Sequence, residues 1–63
     1  MPQTNIKVKL VGEDGNAIAI ISRVRKALQK GGRGDLVAEF VDKAMSGDYN
    51  NVLRTAMEYV DVH

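Results

Sequence analysis

A chain of 63 residues holds one domain at most, near the lower limit at which a single hydrophobic core suffices for folding. With no cysteine and one histidine, His63, it excludes disulfide staples and a four-ligand zinc cage, which leaves self-association as the expected support for so small a core. The formal net charge of +1 conceals an asymmetry, because residues 1–33 carry seven Lys and Arg against two acids while residues 34–63 carry two against six.

Along the chain, Ile6, Val8 and Leu10 alternate with Lys7 and Lys9, the period of a half-buried strand over residues 6–11. The turn cluster GEDG, Gly12 to Gly15, ends it, and Asn16 is a good N-cap for a helix beginning at residue 17. From residue 17 to residue 30 the apolar positions Ala17, Ile20, Ile21, Val24, Ala27 and Leu28 recur at helical spacing, with Arg23, Lys26 and Lys30 on the other side. Gly31 and Gly32 supply its C-terminal stop.

Asp35 is the expected cap of a second helix whose apolar face is Leu36, Val37, Phe40, Val41, Ala44 and Met45, supported by a Glu39–Lys43 pair one turn apart. Ser46 and Gly47 break it, and Asp48 caps a third helix with Tyr49, Val52, Leu53, Ala56, Met57 and Val60 on one face and Asn50, Asn51, Arg54, Thr55 and Glu58 on the other. Residues 59–62 alternate again and fit either the frayed end of that helix or a short second strand. A lone strand leaves its backbone groups unpaired, so residues 6–11 need either residues 59–62 or the same strand of a second copy. Residues 1–63 are therefore expected to form a single small α-rich α+β domain: one N-terminal strand, three amphipathic helices and, in one alternative, a short C-terminal strand.

The chemistry available is sparse. Ser22 and Ser46 have no visible base, the only imidazole is His63, and the Glu13–Asp14 pair sits in an expected turn where nothing raises a carboxyl pKa, so no enzyme activity and no cofactor are expected. GGRG at residues 31–34 lacks the Lys-Ser/Thr ending of a phosphate loop, and EDGN lacks the alternating ligands and closing Glu of a calcium loop. Arg33-Gly34-Asp35 has the letters of an integrin-binding tripeptide but is better read as loop and cap. The remaining candidate for a nucleic-acid or anion contact is the set Lys7, Lys9, Arg23, Arg25, Lys26, Lys30 and Arg33, although for the helix residues Arg23, Arg25, Lys26 and Lys30 a solvated, dipole-complementary helix face is the favoured reading.

The longest uninterrupted apolar run, residues 17–21, is far short of the roughly 20 residues of a membrane span. The start MPQTNIKVKL has neither the basic flank nor the apolar core of an export signal, and the lack of cysteine fits a reducing compartment, so a cytoplasmic location is expected.

The strand-helix-helix order over residues 6–45, with Lys7 and Lys9 on one face of the strand, resembles a ribbon-helix-helix DNA-binding domain, in which two strands pair across a dimer and enter the major groove. It departs from that pattern in the acidic GEDG turn, the GGRGD turn and the third helix. KVKLVGEDGNA, SRVRKAL and AMSGDYNNVLRTAMEYVDV, with VGEDGNA and SGDYNNVL most specific, resemble a family of short uncharacterised bacterial and phage or mobile-element proteins, a likeness that implies no activity. The leading expectation is a small non-enzymatic accessory or protein-interaction domain, self-associating as a homodimer or bound to another protein, with Ile6, Val8, Leu10, Phe40, Leu53 and Met57 in its core. The alternative is a dimeric ribbon-helix-helix-like DNA-binding regulator.

Overall fold

The computed structural model, which describes residues 3–10 and 16–62, is α-rich α+β. The chain forms β1 (Lys7–Val8), α1 (Ala17–Lys30), a single 3-10 turn (Gly34–Leu36), α2 (Val37–Ala44), α3 (Tyr49–Tyr59) and β2 (Asp61–Val62). The GEDG turn and His63 lie outside the described residues.

α1 has the bounds its periodicity predicts, and both ends are built from local chemistry. Asn16 Oδ1 accepts from the backbone N–H groups of Ile18 and Ala19, satisfying two donors that a helix start leaves over. At the other end the Arg33 N–H donates to the Leu28 carbonyl and the Gly32 N–H to the Gln29 carbonyl, the paired bonds of a Schellman motif. That motif needs a left-handed residue, and Gly32 supplies it at φ +80°.

α2 starts differently from expectation. Asp35 does not cap it: its carboxylate takes two bonds from the Arg33 guanidinium, 3.2 and 3.3 Å, and the 3-10 turn leads into α2 without a side-chain cap. Arg33 reaches it from two residues away across an exposed turn, so the nearer charged donor wins over the backbone N–H groups. The expected Glu39–Lys43 pair is replaced in the same way. Both side chains turn to Tyr59, Glu39 Oε2 accepting from its hydroxyl at 2.8 Å and Lys43 Nζ lying 5.8 Å from its ring centroid.

The core lies where the three helices and the short sheet meet: Val8, Leu10, Ile20, Val24, Leu28, Phe40, Ala44, Val52, Ala56, Tyr59 and Val60. Relative to the face expected from periodicity, the buried face of α3 is rotated toward Val52, Thr55, Ala56 and Tyr59. Met57 is 54% exposed, contrary to its expected place in the core, and Leu53 and Ile6 are only partly buried. Tyr59 drives the rotation. It is the largest buried side chain, packs edge-on against Phe40 at 5.6 Å, and keeps its hydroxyl satisfied through Glu39, so burying the ring leaves no polar atom orphaned.

β1 pairs in parallel with β2 of the same chain, Lys7 opposite Asp61 and Val8 opposite Val62. Of the expected strand over residues 6–11, Lys7 and Val8 form β1 among the described residues and Val11 lies outside them; α3 runs through Tyr59, so the partner strand is Asp61–Val62, and a ladder is no longer than its shorter member. The N-terminal segment continues beside it by other means. Gln3 N–H donates to the Glu58 carbonyl and Thr4 N–H to that of Tyr59, while the buried Thr4 hydroxyl donates to the same Tyr59 carbonyl at 2.8 Å and accepts from Ile6 N–H. Thr4 thereby closes the C-terminal end of α3, a role that sequence pattern alone did not reveal.

Candidate functional site

Of the basic residues singled out in the sequence, the fold gathers some and disperses others. Lys7 and Lys9 are exposed, and Lys7 stands in register with Asp61, an unlike-charge neighbour on the adjacent strand. Arg33 is engaged by Asp35 and holds that carboxyl below its ordinary value, chiefly through the side-chain hydrogen bond. Arg23 and Lys26 line a shallow depression on the outer side of α1 with Ala19 and Ser22. Lys30, one turn beyond Lys26, continues that side, whereas Arg25 lies on another flank of the helix. The outer side of α1 is thus basic, but it is an open helix surface without aromatic platforms or convergent buried polar groups.

The turn SGDYNN between α2 and α3 accounts for most of its own residues structurally. The Lys43 carbonyl, left over at the end of α2, accepts from Ser46 N–H, the Ser46 hydroxyl at 2.7 Å and the Asn51 amide at 2.9 Å. Asp48 Oδ1 accepts from Asn51 N–H and so caps α3 as expected. Gly47 makes room for this arrangement, since a Cβ there would come within 2.9 Å of the Asn51 Cβ and 3.0 Å of its Cγ. Tyr49 is the one residue of the turn with a sizeable apolar side chain that this network leaves unused.

Tyr49 belongs instead to an apolar groove between the start of α1, the end of α2 and the start of α3. Ala17, Ile18, Ile21, Ala44, Met45, Gly47, Asp48, Tyr49 and Val52 line about 220 Å³. Ile18 is 75%, Met45 69% and Tyr49 37% exposed, so three large apolar side chains stand in solvent at one end of a molecule whose core is otherwise closed. This corrects the expectation from periodicity, which put Met45 and Tyr49 on buried faces. α2 ends at Ala44, so Met45 has left the helical register that would have turned it inward, and Tyr49 is the first residue of α3, where the packed face has barely begun. One signal for the groove was present in the sequence: five consecutive apolar residues at 17–21 are more than one helix face can bury, and Ile18 is the surplus.

Among the described residues, Asp48 is the one charged side chain that lines the groove, and no three His, Asp or Glu side chains cluster closely enough to hold a metal ion. What this arrangement can do is bury apolar side chains of another molecule; nothing in it activates a nucleophile or shuttles a proton. No described helix is long and apolar enough to cross a membrane. Comparison of the chain with protein-family models, with curated proteins and with solved structures found no match.

Proposed function

We propose that this chain is a small non-enzymatic accessory domain that acts by binding protein, that it self-associates, and that it resides in the cytoplasm. The groove of Ile18, Met45 and Tyr49 carries the proposal, because leaving three large apolar side chains in water at one place is unfavourable unless another surface covers them. Size supports it: a core with eleven buried apolar residues among the described ones, in a chain of 63, leaves a net stability on the order of 3–5 kcal/mol, to which a bound partner adds by mass action. The residue inventory, without cysteine and with a single histidine, supports the non-enzymatic and cytoplasmic parts. Light scattering after size exclusion across a concentration series tests the self-association: mass rising toward that of a dimer is the expected result, and a constant monomer mass removes it.

The alternative, a dimeric ribbon-helix-helix-like regulator that binds DNA, draws on the basic outer side of α1 with Arg23, Lys26 and Lys30. It requires β1 to pair with its counterpart in a second copy, whereas β1 pairs with β2 of its own chain. Duplex DNA affinity that falls steeply with salt, and falls further on changing Lys7 and Lys9 to Glu, is its expected signature; binding indifferent to salt ends it.

A further inference from the structure

The groove has features that narrow its occupant. At about 220 Å³ it is smaller than the roughly 300–1,000 Å³ of pockets that enclose drug-sized ligands, and it has room for one or two side chains. It is also a recess and a projection in one patch. Ala17, Ala44 and Gly47 are small and leave the hollow, while Ile18 and Met45 stand out beside it with most of their surface free. A surface that offers both knob and hole within one patch is self-complementary, the requirement of a two-fold contact in which each copy seats its projection in the other's recess.

Charge orients the contact. Asp48 stands at the α3 end of the groove, with one carboxylate oxygen accepting from the Asn51 N–H. Along α1, Ile18 and Ile21 line the groove, and Arg25 follows them at i+7 and i+4, on the same flank and about 10 Å beyond Ile18. The patch therefore has an acidic end and a basic end with apolar side chains between them. A two-fold axis through its middle sets Arg25 of each copy against Asp48 of the other, whereas a parallel arrangement opposes like charges.

We infer that the groove is occupied by a second copy of this chain, docked about a two-fold axis, with Ile18 seated in the partner's groove and Arg25 paired with the partner's Asp48. This rests on the proposed self-association and specifies its surface and orientation. The nine described residues that line it are fewer than the roughly 20–30 per side of a standard interface, so the dimer is a weak one that dissociates on dilution through the micromolar range.

The test measures the dimer dissociation constant of the whole chain by sedimentation equilibrium for the unaltered protein, for Ile18→Glu, for Arg25→Glu and for the double variant Arg25→Glu/Asp48→Asn. Circular dichroism verifies that each is folded. Ile18 is exposed in the first turn of α1, where an acid suits the helix dipole, and Asn at position 48 keeps a good N-cap, so these changes spare the fold. Expected are an increase in dissociation constant of about 100-fold for Ile18→Glu, about 10-fold for Arg25→Glu, and recovery of most of the latter in the double variant. A protein monomeric up to about 1 mM overturns the inference and the proposed self-association together. A dimer indifferent to Ile18→Glu overturns the inference alone and leaves self-association through another face. A dimer broken by Ile18→Glu but indifferent to Arg25→Glu overturns the two-fold arrangement.

Discussion

Tyr49 and Tyr59 stand at opposite ends of α3, and the two ends of the molecule differ as they do. Around Tyr59 the packing is closed on its own ring: the ring is wholly buried against Phe40, its hydroxyl donates to Glu39, and Thr4 binds its carbonyl through both backbone and side chain. Around Tyr49 the caps are equally complete, with Asn16 on α1, Asp48 on α3 and Asn51 on α2, yet the apolar side chains above them are uncovered. Satisfying the backbone and covering apolar surface are thus separate problems, and at the Tyr49 end this chain solves only the first. The N-terminal segment and β2 pack at the Tyr59 end, and the second copy proposed above would cover the other.

Substitutions at the two ends should separate these problems. The largest effect belongs to the closed end, where Phe40→Ala leaves a cavity worth about 3–5 kcal/mol, comparable with the whole net stability of so small a domain. Loss of the cooperative thermal transition in circular dichroism is expected, and retention of a sharp transition would show the core to be less dependent on that ring. Thr4→Val keeps the shape but removes two hydrogen bonds and leaves a Tyr59 carbonyl lone pair unfilled, at a cost of about 1–3 kcal/mol by urea unfolding.

Tyr59→Phe removes the hydroxyl's bond to Glu39 and its interaction with the Gln3 side chain, and should cost about 1 kcal/mol at neutral pH. Its sharper consequence is in alkali. Burial first, then the Glu39 carboxylate, pushes the Tyr59 hydroxyl from 10.0 up to about 12 in the folded protein. The unfolded chain therefore releases this proton at lower pH than the folded one, so the stabilisation is fully present below pH 10 and is lost as pH rises toward 12. Urea midpoints measured across that range should fall more steeply for the unaltered protein than for Tyr59→Phe. The smallest effect on stability belongs to the open end: Met45→Gln, at an exposed position after α2, should change it by no more than about 0.5 kcal/mol while weakening any dimer.

How much of the fold and of the groove is legible in the sequence varies with the range of the interaction responsible. α1 is readable from Ala17 to Lys30 because its apolar period, its Asn16 cap and its glycine stop are all local signals. Asp48 as the cap of α3 is readable for the same reason. Asp35 departs from expectation because two local partners compete for it and the Arg33 guanidinium prevails. The buried face of α3 differs by a fraction of a turn, since periodicity finds a helix but does not say which of two adjacent stripes meets the neighbours. Thr55 and Tyr59 are chosen over Met57 by the shape of the space beside Phe40. The groove is half visible, as a surplus of apolar residues at 17–21, but Met45 and Tyr49 are distant from Ile18 in sequence and meet it only when three helix ends converge.

By itself, then, the amino-acid sequence determined the α-rich α+β class, the three helices and most of their caps, the lack of thiol chemistry and the basic outer side of α1, because each depends on residues within about two helical turns of one another. Tertiary structure alone decided the rest: β1 pairing with β2 across more than fifty residues, the Tyr59 hydroxyl meeting Glu39, and three apolar side chains remaining uncovered at one end. Those outcomes depend on which surfaces face one another once the helices pack, and periodicity along a chain carries the faces of its elements without their mutual orientation.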